Sequence, residues 1–359
     1  MSIENRDKAS YDADMASNST IEAPRKTDET SHKAVWASCN ADKTICKEAV
    51  ATKNIPTNGL RAWVLACRPK TLTAALIPVI TAGAIAMRVE GWHWQAWVVC
   101  ILFASLMQIA SNLINDFFDF QKGTDGDDRL GPERATASGW ITPRAMKGGI
   151  VVNIVLACMV GSLVLLPDTG IMPQEAVDGR FWMLVVGAGC VLFAFLYTTV
   201  LSYYGLGDVL VLLFFGLVPS VGTVFVMTGV VNAEAVINGF ICGILIDTLL
   251  ILNNYRDRDT DRNSGKLTLI ARFGESFGER FYCACGLLAW GLTFLFIKTM
   301  GVWPTVITIP YLFLHLATWR RMCRIRKGKE LNIILGLTSR NMMIFGILLT
   351  LGVLLCRIG

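Results

Sequence analysis

The sequence predicts an all-α, polytopic membrane fold, and three observations carry that prediction. Of 359 residues, 53% are hydrophobic and only 17% are charged, whereas an ordinary soluble domain has about 25% charged residues to cover its surface. Apolar runs long enough to cross a bilayer as helices recur from residue 71 to the C-terminus. The charge is also unevenly spread. Residues 1–60 hold 8 of the 33 basic and 9 of the 28 acidic side chains, and of the 44 charges that follow, 22 lie in the stretches 116–147 and 256–280. This composition argues against a soluble enzyme, and it makes the two charged stretches the places to look for chemistry.

Taken in order, residues 1–60 are rich in Ser, Thr, Asn, Asp and Lys and lack the apolar centre of a secretory signal. We expect a disordered cytoplasmic tail there, followed by a transmembrane domain over 61–359. Nine apolar runs, plus or minus one, follow near 71–88, 95–118, 148–166, 181–201, 208–231, 235–255, 281–299, 301–319 and 333–357. The run near 301–319 contains Pro304 and Pro310, which neighbouring helices tolerate in a membrane. A cytoplasmic N-terminus puts 21 Lys and Arg residues on that side and leaves only Arg88, Arg180, Lys298 and Arg357 on the other. The positive-inside rule selects this topology, and both charged stretches then face the cytoplasm. The net charge of +5 is read as an orientation signal, so no nucleic-acid partner is expected. The 11 Cys form no C-x-x-C pair, and His32, His93 and His315 lie far apart, which argues against a zinc site.

The second run leads into NLINDFFDFQKGTD at 112–125. On a helix Gln108, Asn112, Asp116 and Asp119 fall on one polar stripe, with Asn115 beside it and Asp125 beyond Gly123. The sixth run ends in NNYRDRDTDRNSGKLT at 253–268, where Asn253, Asp257 and Asp261 repeat every four residues next to Asn254. Asp247 lies on the face of Asn254, about 10 Å deeper at 1.5 Å per residue. Polar groups on a membrane helix are costly unless they face a cavity, a partner or an ion. Two carboxylate groups flanked by Lys122, Arg129, Arg134, Arg256, Arg262 and Lys266 suit Mg²⁺ ions that bridge a diphosphate, since Mg²⁺ takes a few carboxylates together with substrate phosphates. The cationic side chains would hold the phosphate oxygens and neutralise diphosphate as it leaves. A bilayer would supply the apolar chamber that a lipid substrate needs.

These motifs resemble the UbiA superfamily of intramembrane prenyltransferases, and within it the 1,4-dihydroxy-2-naphthoate polyprenyltransferase branch of menaquinone synthesis. The resemblance spans 61–359 and rests on RPKTL at 68–72, NDFFDFQKGTDGDDRLGPER at 115–134, YYGLGD with the following FFG at 203–216, and NNYRDRDTDRNSGKLTL at 253–269. In the wider superfamily an acid stands where this chain has Gly123, and the third acid comes at Asp125 instead. Leu201 stands four residues after Tyr197, where 4-hydroxybenzoate prenyltransferases tend to carry Lys, which argues against that acceptor. The resemblance implies helices around a central cavity in a bacterial inner membrane and transfer of a polyprenyl chain from its diphosphate to 1,4-dihydroxy-2-naphthoate. Diphosphate and CO₂ would be released, leaving demethylmenaquinone. It implies that Asn112, Asn115, Asp116, Asp119 and Asp125 serve one Mg²⁺ and Asn254, Asp257 and Asp261 the other. Lys122, Arg129, Arg134, Arg256, Arg262 and Lys266 would hold the diphosphate. Tyr197 and Tyr204 would offer ring faces to the allylic cation, and Asp247 would shape the acceptor pocket or take a proton. Alternatives are another acceptor, such as homogentisate or a porphyrin, or a cation transporter using the acidic stripes. The transporter reading is weakened because the acids gather at one membrane face and no matched pair of interrupted helices is evident. A CDP-alcohol phosphotransferase would need an Asp-Gly-x-x-Ala-Arg pattern that Asp125 to Arg129 does not supply.

Overall fold

The computed structural model describes residues 55–89, 92–123, 129–166, 170–199 and 201–356, so residues 1–54 of the expected tail and the candidate ligand Asp125 lie outside the described residues. Among the described residues every regular element is helical: α1 Leu60–Cys67, α2 Pro69–Ala86, α3 Trp94–Lys122, α4 Pro143–Leu165, α5 Arg180–Thr199, α6 Gly207–Thr228, α7 Ala233–Asn263, α8 Leu269–Phe273, α9 Glu275–Met300, α10 Trp303–Ile307, α11 Ile309–Ile325 and α12 Leu331–Leu355. Eight of these, namely α2 to α7, α9 and α12, are long and apolar enough to cross a membrane. The ninth expected span is divided between α10 and α11. Pro304 and Pro310 each stand in the first turn of one of these helices, where the missing N–H costs nothing, so they start two helices in place of kinking one.

Helix ends follow the local sequence. Pro69 opens α2 after Arg68, whose φ of 50° turns the chain sharply away from α1. Thr142 caps α4 by accepting the Ala145 amide, and Asn232 caps α7 by accepting the Ala235 amide. α3 ends at Gly123 with φ 67°, a left-handed conformation that glycine adopts without strain. This gives a physical reason for the displaced acid of the first motif, because an aspartate at position 123 would carry a Cβ into that region.

Burial sorts the helices into centre and rim. Two thirds of the apolar window of α7 is buried, against 6% of that of α5, whose Phe181, Trp182, Leu184 and Leu192 point outward. An apolar rim around a buried helix is the arrangement a bilayer requires, and the chain is a multi-pass membrane protein. The core is continuous across α2, α6, α7 and α12 through Ile85, Val224, Leu245 and Phe345. With 29 and 31 residues, α3 and α7 are about 43 and 46 Å long, well beyond the roughly 30 Å hydrocarbon layer. Their acidic C-terminal turns are therefore free to project past it.

α6 and α7 form an antiparallel hairpin that packs backbone to backbone. α6 carries a π-helical turn at Leu212–Leu217. A Cβ on Gly216 would collide with the Gly239 carbonyl oxygen and stand 2.7 Å from the Gly243 Cα. The small-x-x-x-small spacing of Gly239 and Gly243 makes that approach possible. Gly216→Ala is accordingly expected to cost about 1–3 kcal/mol by overpacking, read as a lowered thermal midpoint of the detergent-solubilised protein. An unchanged midpoint would contradict the close crossing. His315, placed outside the chemistry by the sequence, is stacked against Tyr282 and Tyr311 with ring centroids 4.9 and 5.4 Å away, and its Nε2 lies 3.3 Å from the Cys283 carbonyl.

Candidate active site

The C-terminal ends of α3 and α7 lie within electrostatic reach of each other. Arg129, Lys266, Arg68 and Lys122 are among the cations around Asp119 of α3, so a lysine of the second motif lies within the field of an acid of the first. Asp119 Oδ2 accepts from Arg134 Nη2 at 2.6 Å. Lys122 donates to the carbonyls of Thr198 and Thr199 at 3.2 and 3.3 Å, and Thr198 Oγ1 donates to Asn115 Oδ1. These contacts tie the end of α5 to the first motif and bring Tyr197 toward it.

On α7, Asp257 receives Arg256 through two bonds, Nε to Oδ1 at 2.8 Å and Nη2 to Oδ2 at 2.6 Å. Arg256 Nη1 also donates to Asn332 Oδ1 at 2.9 Å, and Asn332 Nδ2 donates to the Leu130 carbonyl at 2.8 Å. One guanidinium thus fixes an acid of the second motif and, through Asn332, the loop that follows the first. Asp261 Oδ1 lies 3.6 Å from Lys266 Nζ, while Asp261 Oδ2 is buried and has no hydrogen-bond partner. A small pocket beside the second motif is lined by Tyr197, Asp208, Leu250, Asn254, Lys266 and Thr268, together with Gly205 and Gly207.

Several candidate residues make contacts within the protein. Asn112 Nδ2 donates to the Cys67 carbonyl and Thr71 Oγ1, both at 2.9 Å, and its Oδ1 accepts from Gln108 at 3.2 Å. It locks α3 to the α1–α2 turn. Asp116, only 1% exposed, accepts the backbone amides of Ala135 and Thr136 at 2.8 and 2.9 Å with its two oxygens. It anchors the loop beside Arg134 in this way. Arg262 gives Nε and Nη2 to the Ala271 carbonyl and so braces the turn into α8. Tyr204 is 66% exposed and does not line the pocket. Sequence reasoning gave no role to Arg68, Thr198 or Asp208. Arg68 opens the RPKTL segment and Asp208 closes YYGLGD, so the signal for both was a charge at the edge of an apolar run.

Among the described residues, no three Asp, Glu, His or Cys side chains converge on a single metal position. The oxygen donors that are present nonetheless suit Mg²⁺, which binds through one or two carboxylates and completes its shell with phosphate oxygens and water. The orphaned Oδ2 of Asp261 is a donor of this kind, buried beside Lys266 with nothing in the protein to satisfy it.

Comparison with known proteins agrees with this geometry. The chain is 32% identical over 237 residues to the 1,4-dihydroxy-2-naphthoate octaprenyltransferase of Haemophilus influenzae, covering 65% of this chain and 75% of that protein. It is 30% identical over 290 residues to the enzyme of the same name from Mycobacterium leprae, covering 79% and 93%. The fold also matches a solved UbiA homolog from Archaeoglobus fulgidus bound to DMAPP and Mg²⁺, with a TM-score of 0.55 and 13% identity over 80% of this chain and 98% of that one. The profile of the UbiA prenyltransferase family matches residues 75–335, which takes in both acidic motifs and the pocket beside the second, and the chain belongs to that family.

Proposed function

We propose that the protein transfers a long polyprenyl chain from polyprenyl diphosphate to 1,4-dihydroxy-2-naphthoate, releasing diphosphate and CO₂ and giving demethylmenaquinol, the reduced form of demethylmenaquinone. The observation that carries this reading is that the two acid-and-amide motifs lie within electrostatic reach of each other, Lys266 of the second acting on Asp119 of the first and lining a pocket with Asn254 and Tyr197, while two relatives of that name match over most of their length. Asn115 and Asp119 on one side, and Asn254, Asp257 and Asp261 on the other, would hold Mg²⁺, with Asp125 completing the first set. The metal supplies Lewis-acid neutralisation of the diphosphate.

The chain's own residues then divide the work. Arg134 and Lys266 bind phosphate oxygens and take up charge as the allylic C–O bond breaks with its electron pair leaving on diphosphate. Arg129 adds positive field around Asp119. Arg256 holds Asp257 in place and links it to the Leu130 loop, so it positions an acid without needing to touch phosphate. The Tyr197 ring lies on the pocket wall, where it can face the electron-poor allylic carbon. Asp247 belongs to the acceptor side. The electron-rich ring forms the new C–C bond, and the electron pair of the departing CO₂ restores its aromaticity. The apolar rim and buried α7 exclude water, which would otherwise capture the allylic centre.

The excess of Lys and Arg at the motif end supports a bacterial inner membrane with the N-terminus and active-site loops in the cytoplasm. Purified protein in detergent should form prenylated product from 1,4-dihydroxy-2-naphthoate and a prenyl diphosphate with Mg²⁺, and EDTA should abolish the reaction until Mg²⁺ is restored. Full turnover in EDTA would sink the metal–diphosphate reading. Prenylation of homogentisate in preference to the naphthoate would sink the acceptor.

A further inference from the structure

The α6–α7 hairpin runs in a regular register. Gly216 meets Gly239, and Leu212 meets Gly243 with a Cβ-to-Cα spacing of 3.0 Å. From Gly216 to Leu212, four residues back along α6 are matched by four forward along α7, from Gly239 to Gly243. Continued one α-helical turn further on each side, this register sets Asp208 beside Asp247. The Leu212 amide donates to the Asp208 carbonyl, which places Asp208 one turn from the Gly243 crossing. Leu250, three residues after Asp247, lies 3.1 Å from the Cβ position of Gly207, which confirms the pairing. Asp208 is also the charge that acts most strongly on Asp247.

Asp208 lines the pocket. Asp247 is 6% exposed, and its Oδ1 is buried with no hydrogen-bond partner. No ion pair to either carboxyl occurs among the described residues. The Tyr197 hydroxyl, 3.9 Å from the Cβ position of Gly207, belongs to the same pocket. The pocket lining is therefore chemically mixed. Lys266 and Asn254 belong to the second motif, while Asp208 contributes a carboxyl that the register sets beside the buried Asp247. Two facing carboxyls sustain at most one negative charge between them, so the pair offers one O–H donor and several acceptors. Such a pair repels a diphosphate and attracts a hydroxyl.

We propose that Asp208 and Asp247 together bind a ring hydroxyl of the aromatic acceptor, a role that rests on the prenyl-transfer reading above. The hydroxyl proton passes to the carboxylate of the pair as the ring carbon attacks the allylic carbon and diphosphate leaves. CO₂ then departs, its bonding electrons return to the ring, and the proton goes back to the oxygen, so the pair is unchanged after each turnover.

The test uses the full chain in detergent with Asp208→Asn, Asp247→Asn and the double variant. It measures kinetics and direct binding with 1,4-dihydroxy-2-naphthoate and its two monomethyl ethers, together with Mg²⁺-dependent binding of geranylgeranyl diphosphate. Each single variant should lose at least thirtyfold in kcat/KM for the naphthoate and weaken its binding at least tenfold, while diphosphate affinity stays within twofold of wild type. The double variant should be no worse than the worse single one. One monomethyl ether should be poor for wild type and no poorer for the variants. Unchanged acceptor kinetics, losses that multiply in the double variant, or an equal loss of diphosphate affinity would each overturn the assignment. A wild-type protein that binds the diphosphate yet neither binds nor prenylates the naphthoate would overturn the acceptor reading itself, before any variant is compared.

Discussion

Asp261→Asn should lower prenyl transfer about a thousandfold, a barrier increase of about 4 kcal/mol, while leaving the folded protein intact. Asp261 carries an oxygen that is buried and unsatisfied, and its other oxygen sits only 3.6 Å from Lys266. The amide keeps the shape and removes the charge. Folding loses little, since no strong protein contact depends on Oδ2. The reaction loses a carboxylate that would hold the Mg²⁺ by which the leaving diphosphate is neutralised, and Mg²⁺ relies on only one or two protein carboxylates beside substrate phosphates. Mn²⁺ binding followed by electron paramagnetic resonance in the presence of a prenyl diphosphate should weaken in parallel. Turnover within tenfold of wild type, or full Mn²⁺ affinity, would remove Asp261 from the site. Asp257→Asn should match the loss of activity and add a loss of stability, because Arg256, 5% exposed, would keep only part of its bidentate partner.

Much of this arrangement was legible in the sequence because membrane helices make both burial and polarity conspicuous. Apolar runs located the spans to within a few residues, and spare charge located the ends of α3 and α7. Periodicity placed Asn112, Asp116 and Asp119 on one stripe, but a stripe says only which way side chains point. It does not say which of them meets another helix before it meets the cavity. Asn112 points at the α1–α2 turn and Asp116 at the amides of Ala135 and Thr136, and these are long-range contacts that no local pattern records. Arg262 was counted with the phosphate-binding cations for the same reason, and the Ala271 carbonyl that takes both its nitrogens becomes visible only after α8 has folded back. Asp208 was quoted within a motif yet left without a role, since its partner Asp247 is 39 residues away and the register that joins them is set by the glycine crossing of α6 on α7.

Asp116→Asn provides the sharpest separation between a ligand and an anchor. The first motif reads as though Asp116 and Asp119 were equivalent, three residues apart on one helix face. In the structure Asp119 meets the Arg134 cation, whereas Asp116 meets two backbone amides. A carboxylate can accept both amide protons. An asparagine can accept one, and its own N–H₂ then faces the second, leaving a buried donor opposed by a donor. Hydrogen bonds to charged groups contribute about 1.5–3 kcal/mol each, and an orphaned buried donor costs about 1–3 kcal/mol more. Asp116→Asn should therefore destabilise the protein by about 2–4 kcal/mol, seen as a lowered thermal midpoint in detergent. What remains folded should show a raised KM for the prenyl diphosphate, because Arg134 adjoins the loosened amides, with a smaller loss in kcat. Asp119→Asn should reduce turnover at least a hundredfold, with a midpoint lowered less than that of Asp116→Asn, because the buried Arg134 keeps the amide oxygen as a weaker partner. Were Asp116→Asn instead to leave the midpoint unchanged and abolish Mn²⁺ binding as Asp261→Asn does, Asp116 would be a metal ligand, and the loop contacts would have to yield to the metal when substrate binds.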